Sequence, residues 1–492
     1  MLEWIVTICI LIVVVLFWPV TMYFAPSGQS PGLLSGLGRR ISRCQIKRPD
    51  RCVSDPTAVP TATIAAMGEA ETVALICKPS ALAKYLHKHC VTFCNFATAS
   101  RWDWRANPFL QTVLGACWPS ESAVHFVRDH LQMSDSGLVA LDWAAAGSAP
   151  HKRRRTSSNS TSPVLLIIPN SFGKITWNVL KLCDMALSRG YVPVVFNRRG
   201  QNGTPLSTPR LQQFGDPADL REAVRYVRYR RPAARLYAVS EGTGSGLLLS
   251  YLGECGSSSY LTAAACLSPV FRCQAWFESS PCWPFHWVLL LYQKTCLSRY
   301  RTALEEAMHT DSLFSCSSLR SLEEALFCLP SGREGGGAGC SWEEYWERND
   351  PLRDVDEVAV PVLCVCSRDD PVRGEPGTTL PLELFESNPH FFLLLTGRGG
   401  HCGFFTPGEG EGGAPWSHCA LLEFFRGTTD FFAAEERAQL AARRRGLRGG
   451  VGAVTVGNAR GFRHRSISTC KRLPACSHSI HAIYSWQRSY TR

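Results

Sequence analysis

Acidic residues are missing from the end of the chain. Residues 437–492 contain 12 Lys and Arg but no Asp or Glu, while the net charge of the whole chain is +11. The positive charge is therefore concentrated in this tail, and the other residues are close to neutral. A nucleic-acid groove needs a basic patch on the folded body, so the sequence predicts no nucleic-acid partner. The tail itself is suited to an anionic lipid or a protein partner.

Regular metal-ligand spacing is also missing. The 22 cysteines are scattered along the chain without the dense spacing of a small disulfide scaffold. The nearest approach to a zinc pattern is His87, His89, Cys90 and Cys94, and no second pair follows at zinc-finger distance. These residues favour an ordinary helix, and the sequence predicts neither a metal nor another cofactor.

Long apolar runs are rare, and the one near the start is long enough to matter. Residues 4–23 carry no charge, and a helix of about 20 residues matches a bilayer core of roughly 30 Å. A cleaved signal peptide has a basic start, a shorter apolar run and small residues before the cut, so an uncleaved membrane anchor is predicted. Basic residues at 39–48 favour a cytosolic body, whereas glycosylation sequons at Asn159 and Asn202 favour the lumen. The expected location is the endoplasmic reticulum or a related endomembrane, or secretion if the segment is cleaved.

Charged side chains are scarce relative to apolar ones. They make up 19% of the chain against 45% hydrophobic residues, which excludes a largely disordered protein. Because α/β enzymes often form one large core, the 492 residues are compatible with a single catalytic domain. The predicted organisation is an anchor or signal-anchor at 1–24, a linker at 25–74, a domain at 75–435 and a disordered basic tail at 436–492.

Seven short runs of branched and aromatic residues have the composition of buried strands. They lie at 137–143, 164–168, 192–196, 236–239, 263–267, 362–366 and 391–395. Amphipathic segments separate several of these runs, and this alternation predicts a mostly parallel central sheet with helices on both faces. At about 270–348 the alternation stops. Aromatic residues there predict a helical lid over an apolar pocket, with ordinary core packing as the alternative.

A serine follows the fourth of these runs. Ser240 has the small residues Ala238 and Gly242 two positions before and after it, and an apolar helix begins shortly downstream. A strand, sharp turn and helix in this order lift a nucleophile to the head of the helix, where small neighbours let strand and helix approach. The spacing predicts Ser240 as a nucleophile.

Acids and a histidine follow two later runs. Asp369 and Asp370 come directly after the run at 362–366, and His401 lies between glycines after the run at 391–395. Ligands bind at the carboxyl ends of strands in open α/β sheets. We therefore expect His401 to be the general base and Asp370, in preference to Asp369, to orient it.

This arrangement predicts attack by Ser240 on an ester or thioester carbonyl. The oxyanion of that reaction needs backbone N–H donors. The expected donors are Glu241, directly after the serine, and Ser171 and Phe172 in the loop after the run at 164–168.

Four further segments resemble a known family. Residues 107–112, 196–200, 214–220 and 399–401 are similar to landmarks of the type-4 α/β-hydrolases, and the similarity covers roughly 75–435. The resemblance implies an α/β-hydrolase fold with a lid, and a membrane-associated serine hydrolase of lipid or carboxylic esters.

Two positions depart from the pattern of that family. Pro169-Asn170 replaces a His-Gly pair in the oxyanion loop, and Glu241 replaces an apolar residue. A charged carboxylate beside an oxyanion opposes its negative charge. The alternative prediction is therefore a catalytically impaired hydrolase fold that binds proteins and regulates lipid metabolism.

Overall fold

The computed structural model describes residues 73–94, 96, 107–117, 124–146, 161–173, 175–279, 283–306, 308, 310–329, 339–405 and 415–449. The predicted anchor lies outside the described residues, as do the predicted linker, apart from its last two residues, and the tail beyond 449. Within the described part of the chain, no helix combines the length and apolar character needed to cross a bilayer.

A nine-stranded sheet forms the centre of the structure. Its strands, in chain order, are β1 (Ala74–Ile76), β2 (Val124–Gln132), β3 (Leu138–Ala146), β4 (Val164–Ile168), β5 (Val192–Asn197), β6 (Leu236–Glu241), β7 (Ala263–Leu267), β8 (Val362–Ser367) and β9 (Phe391–Thr396). Their order across the sheet is β1-β9-β8-β7-β6-β4-β5-β3-β2.

The prediction of a mostly parallel sheet is confirmed. The six strands from β9 to β5 pair in parallel, and β4, β6, β7, β8 and β9 are buried along their whole length. Continuous aliphatic sequence fits strands that are covered on both faces. The edge strands β1, β2 and β3 are antiparallel. The sequence analysis did not predict β1 and β2.

Helices cover both faces of the sheet. The α-helices of the described residues are α1 (Ala81–His89), α2 (Pro108–Cys117), α3 (Trp177–Ser188), α4 (Ala218–Arg230), α5 (Ser245–Cys255), α6 (Cys273–Glu278), α7 (Trp283–Ser298), α8 (Arg301–Glu305), α9 (Thr310–Ser315), α10 (Leu319–Phe327), α11 (Trp342–Asn349), α12 (Pro376–Thr379), α13 (Leu382–Ser387) and α14 (Trp416–Gly449). One core packs α1, α3 and α14 against the sheet, and a second core packs α4, α5 and α13 against its other face.

The helices α6 to α11 lie between β7 and β8 and form the lid. A third apolar core holds them together, with Trp276, Phe277, Trp342 and Trp346 at its centre. Phe277 and Trp346 pack with ring centroids 5.4 Å apart. The lid is therefore a packed layer that has its own core.

The last helix corrects one predicted boundary. Helix α14 continues to Gly449, so residues 436–449 are helical and do not belong to the predicted tail at 436–492. The sequence from 433 onward is rich in Ala, Arg, Glu and Leu, which have high helix propensity. This composition favours the helix observed at 436–449.

Candidate functional site

The candidate site lies at the carboxyl edge of four neighbouring parallel strands. Strands β6, β7, β8 and β9 are adjacent in the sheet. Asp370 follows β8, His401 follows β9, and β6 runs into the turn that begins helix α5. Since the carboxyl ends of parallel strands share one edge, three segments distant in sequence meet there.

The acid and the base form a hydrogen-bonded pair. His401 Nδ1 is 2.9 Å from Asp370 Oδ2 and 3.1 Å from Oδ1. Asp370 Oδ1 also accepts the backbone N–H groups of Val372 and Arg373, each at 2.9 Å. The carboxylate is thus held in place by its own loop and fixes the orientation of the imidazole.

The charges of this pair stabilise each other. Burial alone would raise the pKa of Asp370, but the His401 charge and hydrogen bond lower it below its usual value. Burial would conversely lower the pKa of His401, and the Asp370 carboxylate, with a smaller effect from Cys402, holds it well above its usual value. Asp369 is turned away from His401 and accepts the N–H of Gly400 at 3.0 Å. The structure therefore brings Asp370, not Asp369, to His401.

The turn after β6 has Gly242 at its apex. Gly242 has a φ of 51°, in the left-handed region that a nucleophile elbow requires of its central residue. A Cβ placed on Gly242 would lie 2.8 Å from His401 Nε2. A Cβ on Gly244 would lie 2.2 Å from the carbonyl oxygen of Pro169. Position 242 therefore faces the base, and position 244 is the small residue that permits the close approach.

The structure does not bring Ser240 to His401, which corrects the predicted triad. Ser240 is fully buried within β6, paired in register with Ile168 and Cys266 on the flanking strands. Its hydroxyl is 2.9 Å from the hydroxyl of Ser245 in helix α5, and no hydrogen bond joins these two described residues, Ser240 and His401. Ser240 is the small residue two positions before the elbow, so the nucleophile position itself holds glycine.

The oxyanion loop is occupied by a side chain of the elbow. Thr243 Oγ1 accepts the backbone N–H of Ser171 at 3.0 Å and lies 2.8 Å from the Ser171 hydroxyl. Ser171 was a predicted oxyanion donor, and its N–H is engaged. Glu241, another predicted donor, is the last residue of β6 and precedes the elbow instead of following it. Phe172, the third, lines the cavity described below.

Glu241 points inward beside the base. Its carboxylate accepts a hydrogen bond from Thr176 Oγ1 at 2.8 Å, and only 5% of the residue is exposed. Burial raises its pKa to about 7, against the opposing effects of Thr176 and the His401 charge. A carboxyl group that is partly ionised near neutral pH therefore occupies the site.

A cavity of about 160 Å³ adjoins these residues, and we call it the lid cavity. Its polar end holds Glu241, Gly242, Thr243 and His401. The apolar wall comes from α2, the lid and the loops after β4 and β8: Val113, Ala116, Phe172, Trp276, Phe285, Val288, Leu289, Tyr292 and Val372. The described residues contain no cluster of side chains that could hold a metal ion.

The sequence pattern did not reveal Gly242 as the apex of the elbow or Thr243 as the partner of Ser171. The signal that could have identified the elbow was a glycine at the point where strand turns into helix, since only glycine adopts a positive φ without cost. The fold and the site together define an α/β-hydrolase with an assembled acid–base pair and glycine at the nucleophile position.

The chain is similar to several known proteins. Protein ABHD15 of Homo sapiens is 51% identical over 418 residues, covering 85% of this chain and 85% of that protein. Phospholipase ABHD3 of Mus musculus is 28% identical over 339 residues, covering 67% of this chain and 78% of that protein. The solved structure of an esterase of Pyrococcus furiosus covers 63% of this chain and 91% of its own, with 12% identity and a TM-score of 0.36. No protein-family model matches the chain.

The alignment with the relative at 51% identity covers 85% of this chain and 85% of the relative. The chain belongs to the type-4 α/β-hydrolase family.

Proposed function

We propose that this protein binds a fatty-acyl ligand or lipid ester in the lid cavity and does not form an acyl-enzyme. The observation that carries the proposal is Gly242 at the elbow, where an acyl-enzyme needs a side-chain nucleophile. Thr243 supports it, because its hydroxyl engages the Ser171 N–H that an oxyanion would need. Glu241 supports it further, because an ionised carboxylate there opposes a developing oxyanion.

The lid cavity favours an apolar acyl segment as the ligand. Its volume of about 160 Å³ is close to that of an engineered apolar cavity of about 150 Å³ that binds benzene. A segment of roughly six carbons therefore fits without any movement of the lid. The names of Phospholipase ABHD3 and other relatives support a lipid as the source of this segment.

A membrane location agrees with such a ligand. We propose that residues 4–23 anchor the protein to an endomembrane, on the basis of their length and apolar character. The predicted role as a protein-binding regulator of lipid metabolism is compatible with a ligand that is bound but not turned over.

The preserved acid–base pair favours a second candidate function. His401 Nε2 faces the space that Gly242 leaves without a side chain. In its neutral form, His401 would take a proton from a water that attacks an ester carbonyl, and the tetrahedral intermediate would release the alcohol and the acid without an acyl-enzyme. Because Asp370 holds the pKa of His401 well above its usual value, this turnover should rise with pH. Glu241 would retain its unfavourable effect on that oxyanion, so slow turnover is expected.

The proposal is tested by measuring binding and hydrolysis on the same protein. We expect 1-hexanoylglycerol to bind the detergent-solubilised full chain, as measured by calorimetry. Val288→Trp fills the lid cavity and should abolish binding. Leu291→Trp makes the same change on the exposed side of α7, where Leu291 is 41% exposed, and should leave binding unchanged. Equal binding by the two variants would exclude the lid cavity.

The reaction with p-nitrophenyl hexanoate distinguishes the candidates. Acyl-enzyme chemistry gives a stoichiometric burst of p-nitrophenol, and a burst that Ser240→Ala abolishes would overturn the proposal. Release of p-nitrophenol at a steady rate, with no burst, would establish the second candidate if His401→Ala abolished that release. Binding without release above the buffer rate is the expected result.

A further inference from the structure

Arg198 is a buried cation with two unpaired nitrogen atoms. It follows directly after β5, is 5% exposed, and its Nε and Nη2 atoms have no hydrogen-bond partner within the described residues. A buried charge without hydrogen-bonded partners strongly destabilises the folded state. Burial lowers the pKa of Arg198 to about 10, so the guanidinium still carries its charge at neutral pH.

The neighbouring arginine has the partners that Arg198 lacks. Arg199 Nε and Nη2 donate to the two oxygens of Asp219 at 2.6 and 2.7 Å. Arg199 Nη1 donates to Asp135 at 2.6 Å. Of two consecutive arginines, one is fully paired by the protein itself and the other has a free hydrogen-bonding edge.

Arg198 is one of the residues that line a second cavity under the lid. This cavity of about 80 Å³, which we call the arginine cavity, is lined by Arg198, Gln201, Gln212, Tyr300 and Glu323 among other residues. Phe172 lines both this cavity and the lid cavity, so the two are neighbours. Lid helices α7 and α10 close it from above.

Glu323 does not neutralise Arg198 by direct contact. Its carboxylate accepts the hydroxyl of Tyr345 at 2.6 Å, and no ion pair with Arg198 is present among the described residues. Burial raises the pKa of Glu323 to about 7, opposed by the Tyr345 hydrogen bond and the Arg198 charge. Part of the Glu323 population is therefore uncharged near neutral pH, and the cavity retains positive charge.

We propose that Arg198 binds an oxyanion, a phosphate or carboxylate group, in the arginine cavity. Nε and Nη2 form one edge of the guanidinium plane, and this edge matches two oxygens of such a group in a bidentate arrangement. The anion supplies the charge and the hydrogen bonds that the chain provides for Arg199 and not for Arg198. This site is separate from the elbow and does not rest on the proposed acyl ligand.

Four probes distinguish the source of the oxyanion. Inorganic phosphate represents a free anion, dodecanoate and dodecyl phosphate represent anionic lipids, and dodecanol is the neutral control. We expect the anionic probes to raise the melting temperature of the full chain. Dodecanol should not raise it to a comparable extent. Binding of inorganic phosphate as tight as that of dodecyl phosphate would identify a free anion, and tighter binding of the alkyl probes would identify a lipid head group.

The variants test whether Arg198 makes the contact. Arg198→Met should weaken binding of the anionic probes by about 10-fold or more, since hydrogen bonds to charged groups are lost. Arg198→Lys keeps the charge but not the planar edge and should be intermediate. Arg225→Met removes an exposed arginine whose side chain is 57% exposed and should behave as wild type.

The stability of the free variants supplies a separate result. Because Nε and Nη2 of Arg198 have no hydrogen bonds to lose and the buried charge is removed, Arg198→Met without ligand should melt at or above the temperature of wild type. A strongly lowered melting temperature would show that the guanidinium is paired within the protein and would overturn the proposal. The proposal would also be overturned if no anionic probe bound wild type, or if Arg198→Met and Arg198→Lys bound the probes as tightly as wild type.

Discussion

The two halves of the site differ sharply. In the acid–base half, Asp370 and His401 lie 2.9 Å apart with the carboxylate anchored by its own loop. In the nucleophile half, the apex of the elbow is Gly242, the hydroxyl of Thr243 is bonded to the Ser171 N–H, and Ser240 is buried below the turn. The Asp370–His401 pair has the geometry that activates a nucleophile, but the apex of the elbow carries no nucleophilic side chain.

The difference shows that one half of a triad can be assembled without the other. The Asp370–His401 pair is a buried, mutually stabilised pair of charges, and removal of one partner from such a pair is costly. The pair therefore stabilises the fold whether or not it takes part in catalysis. The nucleophile half has no comparable constraint, since glycine satisfies the backbone conformation of the turn better than any other residue.

Restoring a hydroxyl at the elbow should have the largest effect. We expect Gly242→Ser to gain turnover of p-nitrophenyl hexanoate, because its side chain would contact His401 Nε2. Turnover should fall by about 10²-fold or more when His401→Ala is added, the usual contribution of a positioned base. Gly242→Ala carries the same backbone strain without a hydroxyl and serves as the control. Equal turnover in Gly242→Ser and Gly242→Ala would mean that the two halves do not face each other.

Releasing the oxyanion donor should have the next largest effect. In the Gly242→Ser background, Thr243→Ala frees the Ser171 N–H and should raise turnover by up to about 10²-fold, the effect of one oxyanion donor. Thr243→Ser keeps the hydroxyl and should leave turnover low. If steady-state kinetics give the same rate for both, Thr243 is not what limits the nucleophile half.

Glu241→Gln should change how stability depends on pH. The pKa of Glu241 is raised to about 7 from 4.5, so the folded state keeps a proton that the unfolded state releases. The stability that this protonated carboxyl contributes to the folded state is fully present below about pH 4.5 and is lost as the pH rises through about 7. The free energy of unfolding of Glu241→Gln, relative to that of wild type, should therefore increase by up to about 3 kcal/mol from about pH 5 to pH 8.

Denaturant titrations at both pH values measure this difference. Glu222→Gln, at an exposed position on α4 whose side chain is 51% exposed, is the matched control and should show no change. A parallel response of Glu241→Gln and wild type would mean that Glu241 is not a buried carboxyl beside the base.

Ser240→Ala should have the smallest effect. It removes the hydrogen bond to Ser245 and should cost about 1 to 2 kcal/mol in unfolding free energy, with ester turnover unchanged. A double-mutant cycle with Ser245→Ala should recover this interaction as coupling between the two positions. A burst of p-nitrophenol in wild type that Ser240→Ala abolishes would reverse the assignment of the two halves.

The strands and the acid–base half could be predicted from the sequence for a physical reason. Strands buried on both faces are continuous aliphatic runs, and their carboxyl ends place Asp370 and His401 at one edge. The strand β2 was missed because most of its residues are half-buried or exposed, with polar residues interrupting the run.

The nucleophile position could not be read in the same way. Ala238, Ser240, Gly242 and Gly244 are all small, so a motif with small residues at every second position fits two registers. Only the backbone conformation selects one, through the positive φ at Gly242 and the contact of Gly244 with Pro169. The partner of Thr243 was equally hidden, because Ser171 is far from it in sequence.

The most direct test is the intact mass of the folded wild-type protein after treatment with a fluorophosphonate, which modifies activated serines. No added mass is predicted for wild type, and one adduct at position 242 is predicted for Gly242→Ser. An adduct on wild type that maps to Ser240 and disappears in His401→Ala would contradict the account.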